Sequence, residues 1–502
     1  MGKKKSIKKN FMWQICIEFT NMLLPLVTSP VLSRRLGAEA LGVYSYVYTV
    51  TYYFLQFSLL GMFQYGTREI AAVRDDKDLL NKKFSELLCF QLIHGGMTII
   101  AFVLYAVIFS KYTGLLLIQI LYVMGASVIL INYVFSGLEE FGIISVKTMV
   151  IRSIGVLLIF LFVRTKEDLP LYTLIMASEP LAGALVYIYL ARKKVKLVRV
   201  KLRDAYKHIK GLYAIFIPIM ATFLYATMDK LMLGNMSDMS QLGFYSNAEK
   251  ALIAKNLAVA LSVVLVPRMS KLANDANEAK FNDLLDKSIE IILLLTIAFG
   301  FGTAAVSSIF SVVFWGDKFT ACSALIKIMS FMLPAYGLTY VINNQYLVPL
   351  KKEKIYIQAT VLGVAFNVVF NLLLIPRSGA FGAAVATLMT QYVVLIYECV
   401  AIRKNYSIYK SIKGAVPYLA IAITMYLVVI RIDKIVSYSI LWLVFEVLIG
   451  AIVFLVFCIF YWLLFNKTMY ISILKNLISR GQNILFKIIK ERGGLIDKGS
   501  SC

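Results

Sequence analysis

LGAEALGVYS, residues 36–45, decides the architecture because the chain contains a second copy of it. The second copy, LGNMSDMSQLGFYS, occupies residues 233–246, and both copies begin with Leu-Gly and reach Gly-x-Tyr-Ser after a polar spacer. Gly42 and Gly243 are 201 positions apart, and each copy lies between two long apolar runs. This repeat predicts two similar helical bundles that face one another, with a transport pathway at their junction.

The composition excludes an ordinary soluble domain, since the mean hydropathy is +0.77 and 60% of the residues are hydrophobic. A membrane span needs roughly 20 mostly apolar residues, and the chain contains about 14 such runs. The first run exceeds signal-peptide length and is expected to remain in the protein. We predict an all-α polytopic membrane protein with about 14 transmembrane helices, in two pseudo-symmetric six-helix bundles plus two C-terminal helices.

Further repeats extend the duplication beyond the opening motif. GTREIAAVRDDKDLLNKKF at 66–84 resembles PRMSKLANDANEAKF at 267–281, and NYVFSGLEE at 132–140 precedes NQYLVPLKK at 344–352 by 212 residues. These offsets divide the chain into five predicted parts: an N-terminal six-helix bundle 1–191, a basic cytoplasmic linker 192–210, a C-terminal six-helix bundle 211–404, helices 13 and 14 within 405–466, and a cytoplasmic amphipathic helix and tail 467–502. The linker mixes basic and aliphatic residues, which favours a helix on the inner membrane surface.

Positive charge is concentrated in alternate loops. The net charge is +24, and 38 of the 52 Lys and Arg residues occur in one set of loops and tails, against 9 in the other set. This asymmetry predicts that both termini are cytoplasmic. The basic charge then reflects topology and contact with anionic membrane lipids, and we expect no nucleic acid partner.

Several classes of site are excluded by the residues present. Five of the six cysteines lie in apolar runs without a C-x-x-C pair, and the two histidines, His94 and His208, are far apart. A metal site or cofactor is therefore not expected. The chain has no Walker A motif and no large loop with clustered carboxylates, so we predict that it is not an enzyme.

Polar residues follow one face of the first span. Gln14, Glu18, Asn21, Pro25 and Thr28 recur in steps of four and three residues, which places them on one side of a helix. An ionisable side chain at mid-membrane costs roughly 2.5–3.5 kcal/mol, so such a stripe turns toward protein or water. Polar packing between helices is the alternative to a water-filled cavity.

The second copy opens with a matching stripe, Pro218, Thr222, Tyr225 and Asp229, and matching stripes favour a cavity. Arg152 lies roughly 15 Å inside its span, too deep for easy snorkelling. Lys255 is near mid-depth, whereas Lys230 is close enough to the outer interface for snorkelling to explain it. We predict a substrate pathway from these side chains: Gln14, Glu18, Asn21, Arg34, Arg35, Arg152, Asp229, Lys230, Lys250 and Lys255.

Three ordered segments carry a family resemblance. TSPVLSRRLGAEALGVYSYVYTV (28–50), LGMFQYGTREIAA (60–72) and MDKLMLGNMSDMSQLGFYSNAEK (228–250) resemble the polysaccharide-unit flippases for O-antigen, capsule or exopolysaccharide. These are the Wzx-type members of the multidrug/oligosaccharidyl-lipid/polysaccharide exporter superfamily. The matching motif positions are Pro30, Gly37, Gly42, Tyr44, Arg68, Asp229, Lys230, Gly234, Gly243 and Tyr245. Relatives that flip the peptidoglycan precursor have several arginines on the first span, where this chain has Glu18.

The resemblance implies a multi-pass protein of a bacterial cell membrane, with a V-shaped pair of bundles around a cationic cavity. The implied substrate is an undecaprenyl-diphosphate-linked oligosaccharide, moved from the inner to the outer leaflet by alternating access, with a glycan polymerase or glycosyltransferases as further partners. Two alternatives stay open: a drug/cation antiporter of the same fold, and a scaffold for glycan assembly without transport. The basic residues disfavour the antiporter, and the intramembrane polar stripes disfavour the scaffold.

Overall fold

The computed structural model describes residues 7–275, 277–435, 437–466 and 470–471, and within the first helix it describes the side chains of residues 13, 20 and 23 onward. These residues form helices, turns and short loops without a β-strand. The α-helices are α1 Ile7–Leu59, α2 Met62–Val73, α3 Lys77–Phe109, α4 Thr113–Ile118, α5 Ile120–Val123, α6 Asn132–Gly137, α7 Phe141–Phe162, α8 Leu169–Ala191, α9 Leu202–Tyr206, α10 Ile209–Met236, α11 Met239–Lys250, α12 Ala254–Val264, α13 Val266–Asn274, α14 Glu278–Ala305, α15 Ser307–Trp315, α16 Ala321–Ser330, α17 Leu333–Val341, α18 Glu353–Ile402, α19 Tyr409–Asp433 and α20 Ile440–Leu464. The amphipathic helix predicted beyond residue 466 lies outside the described residues, apart from 470 and 471.

Eleven described helical segments are long and apolar enough to cross a membrane. One of them, α18, has 50 residues and would extend about 75 Å if straight, more than twice the hydrocarbon thickness. The 53-residue α1 is not among the eleven but is equally too long for one crossing. When α1 and α18 are counted as two spans each, the described chain has the predicted 14 spans.

Glycines break both long helices. Gly37 in α1 has φ 78° and Gly379 in α18 has φ 53°, a left-handed region that glycine adopts without steric cost. A Cβ on Gly382 would lie 2.3 Å from the carbonyl oxygen of Leu374, so α18 folds back tightly on itself. Each long helix is therefore a hairpin of two spans.

The two copies of the repeated motif pack against each other. A Cβ on Gly42 would lie 1.7 Å from the Met239 carbonyl oxygen, and a Cβ on Gly243 would lie 1.9 Å from that of Ala38. The hydroxyls of Ser45 and Ser246, also 201 residues apart, form a 2.7 Å hydrogen bond. Equivalent residues thus meet across a pseudo-twofold axis, which confirms the predicted pair of bundles. We call this contact between α1 and α11 the closed end.

A second structural signature repeats at the other offset. Glu139 and Lys351, 212 residues apart, both have a left-handed φ, of 57° and 56°. Each half also contains a π-helical segment before this residue, Met124–Val128 in the first half and Ile342–Leu347 in the second, although these two segments are not related by the 212-residue offset. The duplication therefore preserves this left-handed backbone position although the residues there differ.

The segment that joins the halves differs from the predicted surface helix. Only α9 is helical between residues 192 and 208, and the preceding chain is irregular. The backbone N–H of Lys196 donates to Asn81 Oδ1 at 2.7 Å, and that of Val198 donates to Ser85 Oγ at 2.9 Å. Because α3 side chains accept these amide hydrogens, the linker lies on α3 instead of forming its own helical hydrogen bonds.

Helices α19 and α20 pack on the second half. The Ser411 hydroxyl donates to Asp286 of α14 at 2.8 Å, and the Tyr418 hydroxyl donates to Glu290 at 3.1 Å. Trp462 of α20 donates its indole N–H to Tyr418 Oη at 3.2 Å. The two additional helices therefore extend the second bundle and leave the junction between the halves uncovered.

Candidate functional site

A cavity of about 670 Å³ lies between α1, α7 and α8 of the first half and α10 and α11 of the second. Its lining includes four basic and two acidic side chains: Lys147, Arg152, Lys230, Lys250, Glu179 and Glu249. Charged groups within a low-dielectric site interact strongly with a ligand because water screens them poorly. The excess of cations favours an anionic ligand.

The first-half wall is built on one face of α7. Ile144, Lys147, Ile151 and Arg152 line the cavity at helical spacing. The Lys147 ammonium lies 4.2 Å from the centroid of the Tyr187 ring, a cation–π contact that leaves its charge unneutralised. This face therefore presents two cations at successive depths.

Glu179 of α8 lies against α7, close enough to Arg152 for an electrostatic interaction. The close approach of α7 and α8 depends on Gly155, where a Cβ would lie 1.9 Å from Glu179 Oε1. A glycine on α7 therefore makes room for the carboxylate. Glu179 balances part of the charge of Arg152, which keeps that cation from holding an anion irreversibly.

The second-half wall comes from the end of α10 and from α11. Lys230 Nζ lies 2.7 Å from Glu249 Oε2, and Lys250 Nζ donates to Asn247 Oδ1 at 2.8 Å. Asn247 in turn donates to Ser33 Oγ at 3.0 Å, across the junction between the halves. The position of Lys250 is therefore linked to contact between the halves.

Lys255 lies beside this wall and is not part of the cavity lining. Its ammonium is 4.8 Å from the centroid of the Tyr336 ring, and it interacts electrostatically with Glu249. Its predicted place in the substrate pathway stays a prediction.

Asp229 adjoins Lys230 in sequence but points away from the cavity. It is 4% exposed, and Oδ1 accepts from the amides of Asn367 at 2.7 Å and Asn371 at 2.6 Å. Oδ2 accepts from the hydroxyls of Tyr245 and Thr387, both at 2.8 Å. The Asp229 carboxylate thus links α10, α11 and both arms of α18.

The other members of the second polar stripe also contact protein. The Tyr225 hydroxyl donates to Gln391 of α18 at 2.9 Å, and the Thr222 hydroxyl donates to its own helix at the Pro218 carbonyl. Here the helix-packing alternative describes the contacts better than a cavity. The reason is that α18 supplies amide groups at the depth of the stripe.

Arg34 and Arg35 tie helix ends together near the closed end. Arg35 Nη1 donates to the carbonyls of Phe160 at 3.0 Å and Val163 at 2.6 Å, at the C-terminus of α7. Arg34 Nη2 donates to the Val313 carbonyl in α15 at 2.7 Å. Cations at helix C-termini are stabilised by the helix dipole, so these contacts have a structural explanation.

Gln14, Glu18 and Asn21 lie in α1, but their side chains are outside the described residues. Two later members of this stripe, Pro25 and Thr28, line the cavity, together with Leu24. The roles of Gln14, Glu18 and Asn21 stay predictions.

The cavity also contains charged residues that the sequence reasoning did not select. Lys147, Glu179 and Glu249 line the cavity and are absent from the predicted pathway. Lys147 lies within α7. The spacing gave no signal, because residues five apart such as Lys147 and Arg152 lie about 140° apart around a helix and do not form a regular stripe. Within the described ranges, no group of three or more His, Cys, Asp or Glu side chains could hold a metal ion.

Comparison with known proteins establishes the family. The sequence profile described as polysaccharide biosynthesis protein matches residues 7–273, more than half of the chain. The chain belongs to this family. A protein of Escherichia coli (strain K12), provisionally named as an O-antigen transporter, is 24% identical to this polysaccharide biosynthesis protein over 418 residues, covering 80% of this chain and 98% of the relative. These findings confirm the resemblance carried by the motifs.

Solved structures support the same fold. The lipid II flippase MurJ, in an inward closed conformation, matches with a TM-score of 0.68 at 17% identity, covering 90% of this chain and 99% of the MurJ chain. An inward-facing MATE family multidrug resistance transporter of the MOP superfamily matches with a TM-score of 0.57 at 14% identity, covering 77% of this chain and 96% of that chain. At these identities the likeness shows the fold of this family member, and the ligand must be argued from the cavity.

Proposed function

We propose that this protein is a flippase that moves an undecaprenyl-diphosphate-linked oligosaccharide from the inner to the outer leaflet for polysaccharide biosynthesis. The observation that carries the proposal is the cavity in which Lys147 and Arg152 of one half face Lys230 and Lys250 of the other. A diphosphate carries about two negative charges, which hydrocarbon does not solvate, and these cations replace part of its hydration. The O-antigen relative supports the same class of substrate.

The charge asymmetry of the loops orients the proposed mechanism. With both termini cytoplasmic, the turn at Gly37 and the closed end face the outside of the cell. The halves, residues 1–191 and 211–404, then separate at the closed end to release the headgroup outward. The polyprenyl chain stays in lipid throughout.

The membrane potential assists this direction of transport. Two negative charges that move outward across an inside-negative membrane gain roughly 4.6 kcal/mol per 100 mV, at about 2.3 kcal/mol per charge. Coupling to a proton or sodium ion is therefore not required energetically. Of the two carboxylates considered for such coupling, Glu18 and Asp229, we place it on Glu18, because Asp229 is buried in helix packing away from the cavity.

The proposal makes the protein a transporter and not an enzyme, with glycosyltransferases or a glycan polymerase acting before and after it. The drug/cation antiporter remains the second candidate because the MATE transporter shares the fold. A cavity with four cations and two carboxylates suits a cationic drug poorly, since like charges repel.

The test is complementation of a strain that lacks its polysaccharide flippase, with protein levels measured by immunoblot. Arg152→Ala and Lys255→Ala are expected to abolish surface polysaccharide at unchanged protein levels. Lys166→Ala, at the exposed turn before α8, is the control and should complement fully. Full complementation by both the Arg152 and Lys255 variants would overturn the proposal, and ethidium efflux by the wild type would favour the antiporter.

A further inference from the structure

Four tyrosine rings form one wall of the cavity beside the cations. Tyr44 and Tyr48 of α1, Tyr122 of α5 and Tyr172 of α8 all line it. The ring centroids of Tyr44 and Tyr172 are 4.6 Å apart, and those of Tyr48 and Tyr122 are 5.5 Å apart. We call these four residues the tyrosine wall.

The tyrosine wall extends along the cavity from the closed end. Tyr44 and Tyr48 are one helical turn apart, with ring centroids 6.0 Å apart, and Tyr44 adjoins the Ser45 contact between the halves. Tyr52 continues the series one turn further, 5.8 Å from Tyr48, and packs on Phe223 of α10. The rings therefore lie in a row between the closed end and the middle of the span.

Core packing alone does not explain the wall. Tyr44, Tyr48 and Tyr122 are only partly buried, and their exposed parts face the cavity, whereas Tyr172 is 6% exposed. The hydroxyls of Tyr48 and Tyr122 lie 3.1 Å apart, and both interact electrostatically with Arg152. The wall thus combines apolar ring faces with hydroxyl groups at the depth of the arginine.

This combination matches the chemistry of a sugar. A pyranose has an apolar C–H face that stacks on an aromatic ring, and hydroxyls around its edge that exchange hydrogen bonds with groups such as tyrosine O–H. A diphosphate alone would gain little from ring faces, because their electron-rich surfaces do not attract anions. The cationic and aromatic sides of the cavity therefore suit two different parts of one molecule.

We propose that the tyrosine wall binds the first sugars of the glycan while Lys147 and Arg152 bind the diphosphate. This inference rests on the proposed function, because it divides that substrate between two subsites of one cavity. It assigns recognition of the sugar, as distinct from the lipid diphosphate, to Tyr44, Tyr48, Tyr122 and Tyr172.

The experiment compares two probes on the purified full-length protein in nanodiscs. Undecaprenyl diphosphate and undecaprenyl-diphosphate-N-acetylglucosamine are titrated, and their Kd values are measured by native mass spectrometry. The wild type should bind the sugar-linked lipid at least ten-fold more tightly than the bare lipid. Tyr44→Leu and Tyr48→Leu should abolish this difference and leave the Kd of the bare lipid within two-fold of wild type.

Three further variants make the result decisive. Tyr48→Phe keeps the ring face and should retain most of the sugar preference, whereas Arg152→Ala should weaken both probes alike. Tyr189→Leu alters an exposed ring of α8 outside the cavity lining and should change neither Kd. The unfolding midpoint of each variant establishes that it is folded.

The two proposals fail in different ways. If the wild type binds neither lipid, the proposed function fails. If the wild type binds both lipids equally, or if folded Tyr44 and Tyr48 variants weaken both probes to the same extent, the sugar subsite is overturned and the lipid-diphosphate site stands.

Discussion

Lys147 and Arg152 lie on the same helix, α7, but their charged groups have different partners. Both point into the cavity, yet Arg152 faces the carboxylate of Glu179 while the Lys147 ammonium rests on the Tyr187 ring. A ring contact stabilises a cation without supplying a counter-charge. Lys147 is therefore the more available of the two cations for an incoming phosphate.

Replacement of Lys147 by alanine is accordingly expected to reduce transport at least ten-fold, with unchanged protein levels. Lys147→Arg keeps the charge and should retain most of the transport activity. Transfer of a fluorescent lipid-diphosphate sugar into the outer leaflet of proteoliposomes measures the transport activity of both variants. Equal transport by the alanine variant and the wild type would show that this cation does not contact the substrate.

Asp229 leads to a prediction about stability. Asp229→Ala removes the acceptor for two amides and two hydroxyls in a buried site, and each buried donor left unsatisfied costs about 1–3 kcal/mol. Some of these donors have second partners, so we expect a net loss of about 3 kcal/mol in the free energy of unfolding. Chemical unfolding in detergent micelles measures it. Glu39→Ala removes an exposed carboxylate and should change the stability little.

At the residue scale, the sequence predicted which polar groups lie in the membrane but not all of their partners. Asp229 and Lys230 are consecutive and were assigned to one pathway, but they point to different sides of α10. The difference comes from Asn367 and Asn371, more than a hundred residues away. A stripe on one helix contains no information about what the facing helix offers.

At the element scale, Gly155 controls the distance between α7 and α8. Gly155→Ala is expected to displace the Glu179 carboxylate and to destabilise the protein by about 1–3 kcal/mol through overpacking. The cost should shrink when Glu179 is already alanine, which a double-mutant cycle of unfolding free energies detects. Gly96→Ala is the control, because a Cβ there would meet no atom within 4 Å.

The start of α10 is held to the first half by a buried charge cluster. Glu86 of α3 is 1% exposed and contacts Lys207 Nζ at 2.8 Å and His208 Nε2 at 3.1 Å. The other ring nitrogen of His208 is 2.8 Å from the Tyr65 hydroxyl. The cluster thus joins α2, α3 and the end of the linker.

Glu86→Leu should therefore loosen the linker, because the Lys207 and His208 side chains lose their common acceptor. Faster trypsin cleavage within residues 192–210 of the protein in nanodiscs would report this change. Asp283→Ala is the control, because it breaks an exposed ion pair with Lys287 and such surface pairs contribute little to stability. Its cleavage rate should equal that of the wild type. An unchanged cleavage rate in Glu86→Leu would mean that the Asn81 and Ser85 contacts hold the linker without the charge cluster.

Helices were predicted best in segments where a sequence repeat coincides with an apolar run long enough to cross the membrane. The two spans within α1 were expected from length, and Gly37 supplies the turn between them. The linker was not predicted correctly, because its composition suits a surface helix while Asn81 and Ser85 capture its backbone amides. Tertiary hydrogen bonds override the local helix propensity of such a segment.

At the scale of the whole molecule, alternating access requires the closed end to separate. A Ser45→Cys/Ser246→Cys double variant, in a background without the six native cysteines, is expected to form a disulfide because the two hydroxyls lie 2.7 Å apart. Oxidation should stop transport and reduction should restore it, as measured in proteoliposomes. Each single-cysteine variant should be insensitive to oxidant. Continued transport by the fully cross-linked protein would rule out opening between α1 and α11.

The two-bundle architecture could be predicted because the sequence contains a repeat of its opening motif. The asymmetry between the bundles could not be predicted from that repeat. The cavity belongs mainly to the first half, and the corresponding polar stripe of the second half is used in packing against α18. Divergence after duplication altered side-chain partners without altering the backbone plan. Such partners depend on packing and not on the repeat.

Helix α3 binds the linker through the backbone of the linker. Lys196 and Val198 are anchored through their main-chain amides and not through their side chains. Any amino acid other than proline can provide that anchor, so the tether survives substitution at either position. Substitutions can therefore change the charge of the linker without breaking its backbone contacts with α3.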